Sequence, residues 1–129
     1  MPQFHQRVDA EGRTQRWNVE RLIERAHALP RITVALSSLH EFDEVYWFDA
    51  TYPPTCRAVV EHAQRIQEVD LGYPIILSAD GHVMDGMHRI AKAWMLGQST
   101  ITAVQFERDP PPDTVQHRAP GAVQPRIMW

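Results

Sequence analysis

The residues best suited to carry chemistry form one short segment, Asp85-Gly86-Met87-His88-Arg89. The hydrophobic pattern places this segment where a strand turns into a helix, and the first turn of a helix presents unpaired backbone N–H groups and the positive end of the helix dipole. Arg89 adds a guanidinium that can grip a phosphate through two hydrogen bonds, and His88 adds a second donor. Asp85 could hold a hydroxyl group, or a metal ion that bridges phosphates. The segment therefore predicts an anion site.

A purely structural explanation of the same segment is also open. Asp85 would then be the N-cap of the helix, which contributes ~1 kcal/mol. Arg89 would pair with Asp85, and His88 would be solvated. Strand-to-helix turns that begin with Asp are common, so spacing alone does not choose between the two explanations.

Other reactive or aromatic residues give weaker indications. The histidines of the patterned region lie on separate predicted elements without HxH or HExxH spacing, so we expect no dedicated transition-metal site; they are His40, His62, His82 and His88. The single cysteine, Cys56, excludes an internal disulfide and a thiol-based zinc site. Tyr46-Trp47-Phe48 could stack on a base or line a pocket, although such a cluster is more often part of the core.

The elements that must position these residues begin with two helices and a strand. Asn18 is a suitable N-cap for a helix that Pro30 stops, and Ile32, Val34 and Leu36 alternate as in a strand. The segment 39–50 fits neither the helical nor the strand period. Proline at position 54 suits the first turn of a second helix. Its predicted buried stripe is Cys56, Val59, Val60, Ala63, Ile66 and Val69, with Gly72 as the C-cap.

The second half of the pattern predicts a hairpin, a helix and a final strand. Residues 74–78 predict a strand, and Asp80-Gly81 predicts a two-residue hairpin turn into Val83-Met84. A helix follows over about residues 86–96, with Trp94 packed on its apolar face and Lys92 exposed, and residues 100–106 predict a strand. After residue 107 the proline content makes a further regular element unexpected.

Length and composition predict one compact domain with appendages. The 129 residues, 43% of them hydrophobic, divide into an N-terminal accessory helix region (1–31), a patterned domain (32–107) and a proline-rich C-terminal tail (108–129). No apolar run approaches the ~18 residues of a membrane span, and the first residues do not resemble a signal peptide. We therefore expect a cytoplasmic protein without a membrane partner. The standard phosphate-loop and dinucleotide glycine patterns are absent from the sequence.

The charge distribution bears on nucleic acid as a ligand. The net charge is -3, and residues 32–107 carry ten carboxylates against four basic side chains. A duplex-binding surface needs a basic footprint that neutralises phosphates. DNA is therefore a less favoured partner than a small molecule.

The segment 74–77, the box from Asp85 to Arg89 with the helix that follows it, and then Gly97, Ile101 and Val104 resemble the signature of the ParB/sulfiredoxin-like superfamily. The resemblance covers roughly residues 32–107. It implies an α/β (α+β) fold in which a small mixed sheet is flanked by helices. It also implies that Gly86, Met87, His88 and Arg89 hold the phosphates of ATP or ADP, with CTP as a further candidate, together with Mg²⁺.

Members of this superfamily differ in function, and the residues of this sequence distinguish between them. Sulfiredoxin needs a cysteine where Met87 stands, so its repair chemistry is excluded. ParB partition proteins carry a helix-turn-helix domain downstream, for which the 22 residues after position 107 are too short. The free serine kinases are more similar, because their box reads Asp-Gly-His-His-Arg and an upstream Pro-His-Glu supplies the catalytic base.

The matching upstream segment here is Leu39-His40-Glu41. The resemblance implies that Glu41 takes the proton of a substrate hydroxyl and that Asp85 binds the hydroxyl or the metal. Against this, Glu41 belongs to an acidic run that is typical of a solvated surface. Met87 also replaces the first histidine of the kinase box.

Two functions therefore remain. One is a nucleotide-dependent phosphotransferase that acts on a small hydroxyl compound. The other is a non-catalytic ParB-like module that binds nucleotide or DNA and works with a partner. Convergence of Glu41, Asp85, His88 and Arg89 on one cleft would favour the enzyme, and a Glu41 that points away would favour the module.

Overall fold

A computed structural model describes residues 3–116 of the chain, and its architecture is α+β, as the sequence predicts. The strands are β1 (Phe4–Val8), β2 (Thr14–Asn18), β3 (Ile32–Ala35), β4 (Ile75–Leu77), β5 (Val83–Asp85), β6 (Thr100–Gln105) and β7 (Thr114–Gln116). The helices are α1 (Val19–Ala26), α2 (Cys56–Glu68) and α3 (Met87–Met95). Two short 3₁₀ turns, Leu36–Ser38 and His40–Asp43, begin the stretch between β3 and α2.

The strands form two sheets. The larger sheet has the order β3-β6-β4-β5, and its β4–β6 pair is parallel while the β3–β6 and β4–β5 pairs are antiparallel. This is the small mixed sheet that the sequence predicts. The smaller sheet is antiparallel with the order β1-β2-β7.

The mixed sheet is buried on both faces because successive residues of its strands enter two different clusters. Ile75 and Leu77 of β4 pack with Ile90 of α3, whereas Ile76 packs with Trp17 and Leu22 on the other side. Helix α1 and the β1–β2 hairpin therefore cover one face, and α3 covers the other. Strands buried on both faces read as continuous apolar runs, which is the pattern of residues 75–77.

The predicted order of strand, turn, strand and helix over residues 74–96 is confirmed, but the turn is one residue longer than predicted. Ser78 N–H donates to His82 C=O, and Gly81 N–H donates to Ser78 C=O. Gly81 has a φ of 88°, as a three-residue loop with a glycine bulge requires. The β1–β2 hairpin repeats this geometry with Gly12 at a φ of 80°.

The termini contain more regular structure than the sequence analysis predicts. The predicted N-cap is confirmed, since the Asn18 side chain accepts the N–H of Arg21. Residues 1–31 also supply the β1–β2 hairpin, whose inward residues include the polar His5 and Thr14 and so disguise the strand alternation. In the predicted tail, β7 pairs with β2. The rest of that tail, from residue 117 on, lies outside the described residues.

The predicted buried faces of α2 and α3 are wrong in part. Helix α2 buries Ala58 and His62, while Val60 is 62% exposed. Trp94 of α3 is also 62% exposed instead of packed in the core. Lys92 is not free on the surface, because its ammonium donates to the carbonyls of Gln67 and Val69 at the end of α2.

Within the described part of the chain, no helix is long and apolar enough to cross a membrane.

Candidate functional site

The candidate site begins at Gly86, where β5 turns into α3. Gly86 has a φ of 113°, and a Cβ atom added to it would lie 2.6 Å from Cγ2 of Ile75. A glycine is therefore required by both the backbone conformation and the close approach of β4. The first backbone hydrogen bond of the helix runs from the N–H of Ile90 to the carbonyl of Gly86. The N–H groups of residues 87–89 accordingly have no partner within the helix.

Within this segment, Asp85 does not cap the helix and the side chain of Met87 is buried. Gly86, and not Asp85, occupies the N-cap position, so the predicted capping role of Asp85 is wrong. Met87 is 4% exposed and packs in the core, which leaves only its backbone N–H available to a ligand.

Asp85 and Arg89 form an ion pair one helical turn apart. The Nη2 atom of Arg89 lies 2.7 Å from Oδ2 of Asp85, and the two side chains are 15% and 19% exposed. The Nε atom of Arg89 is buried and has no hydrogen-bond partner among the described residues. The ion pair thus fixes the guanidinium while leaving part of its donor capacity unused.

Residues of this segment line an open cleft of about 380 Å³. One wall is the strand-to-helix turn, and the other is the C-terminal half of α2. The lining residues are Gln3, Arg65, Glu68, Val69, Asp85, Gly86, His88 and Arg89. The volume falls in the range of small-molecule sites, and the lining mixes two guanidiniums with two carboxylates.

His88 also forms a close pair with His62 of α2. The Nε2 atom of His88 lies 2.8 Å from Nδ1 of His62, and the indole of Trp47 stacks on both rings with centroid distances of 4.6 and 4.7 Å. His62 is 2% exposed. His88 is therefore not the solvated side chain of the structural explanation, and Trp47 belongs to the packing around the pair.

The surroundings of both histidines favour the neutral form. Burial lowers the pKa of His88 to about 4, and the positive charges of His62, when protonated, and of Arg65 and Arg89 add to this effect. Burial followed by the Arg65 charge also lowers the pKa of His62. A neutral pair at this distance shares a single proton between the two facing nitrogens.

The predicted base Glu41 is engaged with the main chain of the sheet. Its Oε1 accepts the N–H of Val83 at 2.6 Å, and the hydroxyl of Tyr46 donates to the carbonyl of the same residue at 3.0 Å. Burial raises the pKa of Glu41, although the Val83 hydrogen bond and His82 oppose the shift. Glu41 is not among the residues that line the cleft.

The arrangement does not provide a cage for a metal ion. Within residues 3–116, no three or more His, Cys, Asp and Glu side chains are grouped to hold one. Asp85 is already paired with Arg89. Mg²⁺ in nucleotide sites is held largely by phosphates and water, so a Mg²⁺ ion would have to arrive with the ligand.

Two residues of the site were missed in the sequence analysis, His62 and Arg65. They are three residues apart on α2 and therefore lie on one face of the helix. This polar pair at helical spacing was the available signal. The hydrophobic pattern indicates the apolar stripe instead, and that stripe is largely exposed.

No protein-family model, curated protein or solved structure was found to match the chain. The relation to the ParB/sulfiredoxin-like superfamily therefore stays a prediction from the sequence. The assignment of a function rests on the residues of the cleft.

Proposed function

We propose that the chain is a nucleotide-binding module that holds phosphate groups in the cleft at the start of α3. The observation that carries this proposal is the placement of Arg65, His88 and Arg89 around one cleft, beside N–H groups that have no partner within the helix. Guanidiniums and helix N-termini are both well suited to bind phosphate. The resemblance to ParB-like domains points to the same ligand.

The carboxylates of the cleft favour a nucleotide over a bare anion. Glu68 and Asp85 line the same space as the two arginines, so the fixed charges of the lining nearly cancel. A ligand that carries both phosphates and hydroxyls can use both kinds of group, since carboxylates accept from hydroxyls. ATP, ADP and CTP all have this combination, and we expect one of them to be bound.

The binding module is favoured over the kinase because of Glu41. A general base must lie within hydrogen-bond reach of the proton it takes. The carboxylate of Glu41 is bonded to a main-chain N–H of β5 and is absent from the cleft lining.

Phosphate transfer to a small hydroxyl compound remains the second candidate, favoured by the presence of Asp85 and Glu68 in the cleft. DNA as the main ligand is less favoured, and a cytoplasmic location stays a prediction.

Calorimetric titration tests the proposal with ATP, ADP, CTP and pyrophosphate, each with and without Mg²⁺. At least one should bind, and Arg89→Ala should weaken that binding by about 1.5–3 kcal/mol, the loss expected for a charge-assisted contact. Arg57→Ala is the matched control, because Arg57 is an exposed residue of α2 that does not line the cleft. Equal affinities for wild type and Arg89→Ala would reject the site.

A further inference from the structure

The His62–His88 pair joins the two walls of the cleft, since His62 belongs to α2 and His88 to α3. His88 itself lines the cleft. The pair therefore stands beside any anion that occupies this space. Its two facing nitrogens are 2.8 Å apart and hold one proton between them.

Charged groups from every element around the pair determine what a second proton would cost. Helix α2 contributes Arg65 and Glu61, and α3 contributes Arg89. The stretch before α2 contributes the aromatic rings of Trp47, Phe48 and Tyr52, of which only Tyr52 carries an ionisable group. Glu68 and Asp85 line the same cleft. The burial of the pair, followed by the two guanidiniums, outweighs the carboxylates and favours the neutral pair.

An anion changes this balance. Its negative charge would offset the guanidiniums and stabilise a protonated pair, which then holds one positive charge and can donate to the ligand. The two guanidiniums and two carboxylates of the cleft nearly cancel. The positive charge of the protonated pair would therefore be the net charge that the site offers to phosphate.

We propose that anion binding in the cleft takes up a proton into the His62–His88 pair, so that the site binds its phosphate ligand more tightly as the pH falls. This inference rests on the proposed function and adds its regulation. The sign follows from linkage. When ligand binding raises the affinity of a group for protons, the ligand binds more tightly as the pH falls. The increase occurs over the pH range in which the free pair is deprotonated and the bound pair is protonated. The pKa of free His88 is about 4, so the effect lies above that value and fades toward neutral pH.

Sulfate is the appropriate probe, because it mimics phosphate and keeps a constant charge over the whole pH range used. Calorimetric titrations of the wild-type chain between about pH 7.5 and about pH 5, each in two buffers of different ionisation enthalpy, give the affinity and the number of protons taken up. We expect affinity to rise roughly tenfold over this range and uptake to approach one proton per sulfate at the acid end, because uptake of one proton corresponds to a tenfold change in affinity per pH unit.

Two variants assign the proton. His88→Gln should remove both the uptake and the pH dependence, whereas His27→Gln, which changes an exposed histidine at the end of α1, should retain both. Uptake that persists in a folded His88→Gln variant would overturn the inference. If that variant fails to fold, the number of protons that the wild type takes up per sulfate decides whether the inference holds.

The two proposals fail in different ways. Sulfate that binds the wild type with the same affinity at every pH and without proton uptake would overturn this inference and leave the nucleotide module intact. An absence of binding at any pH, by sulfate and by the nucleotides alike, would overturn both.

Discussion

At the scale of single residues, the carboxylate of Glu41 accepts the N–H of Val83 on β5, the strand at one edge of the mixed sheet. Tyr46 bonds to the carbonyl of the same residue, so two side chains satisfy both polar groups of that edge position. Edge strands expose main-chain groups that must be paired or solvated. Glu41 therefore has a structural role at the sheet edge.

This role predicts how Glu41 responds to substitution. Glu41→Ala should lower the free energy of unfolding by about 1–3 kcal/mol, because a partly buried N–H loses its acceptor. Glu41→Gln keeps an acceptor oxygen and should lose less. Urea denaturation measures both, and neither variant should change nucleotide affinity. If instead the wild type transfers phosphate to a hydroxyl compound and a stable Glu41→Gln variant does not, Glu41 is the base and the module proposal is wrong.

The site residues that the sequence could predict are those that are close together in the chain. Asp85, His88 and Arg89 all reach the cleft, because a strand-to-helix turn is a local structure that its own residues specify. Arg65, which lines the cleft, and His62, which pairs with His88, come from another helix, and only the packing of α2 against α3 brings them to these positions. Local patterns carry no information about such a contact.

At the scale of elements, the turn from β5 into α3 depends on Gly86. Gly86→Ala would force a side chain to a φ of 113° and place its Cβ 2.6 Å from Ile75. We expect a loss of about 2 kcal/mol or more in the free energy of unfolding, measured by urea denaturation. Gly81→Ala is the matched control, because Gly81 also has a positive φ but meets nothing within 4 Å. It should lose only about 1 kcal/mol. Equal losses for the two variants would contradict the close approach of β4 to the turn.

Helices and strands could be predicted where a single local sequence pattern, such as an apolar run or an N-cap residue, specifies them. The apolar runs gave β4 and β6, and Asn18 gave the start of α1. The buried face of α2 was not predictable in this way. His62 is buried because it pairs with His88 and stacks on Trp47, and its burial turns Val59 and Val60 toward solvent. A hydrophobicity pattern assigns the opposite face.

At the scale of the whole molecule, residues 1–31 are packed against the predicted domain. Trp17 of β2 is 2% exposed, lies in a cluster with Ile76 and Val104 of the mixed sheet, and donates its indole N–H to the carbonyl of Pro110. The domain boundaries drawn from the sequence remain predictions. These contacts connect the N-terminal region, the sheet and the segment after β6.

This packing predicts one cooperative unfolding transition. Trp17→Ala should lower the free energy of unfolding by about 3–5 kcal/mol, the usual cost of removing a buried aromatic side chain. The loss should appear equally by circular dichroism and by fluorescence of the remaining tryptophans. Ile23→Ala on α1 is the control, since Ile23 is 51% exposed and should change stability little. Two separate transitions would instead support an independent accessory region.

The central claim, that the start of α3 binds phosphate, is tested most directly by nuclear magnetic resonance. A ¹H–¹⁵N titration of the labelled chain with pyrophosphate should shift the amides of residues 87–89 and the side-chain Nε–H of Arg89 together, in one saturable process. Those N–H groups have no partner within the helix, and the Arg89 Nε has none among the described residues. The amide of Arg57, at the other end of α2, should stay in place. Pyrophosphate that leaves these amides unshifted, or that shifts a distant surface more strongly, would contradict the claim.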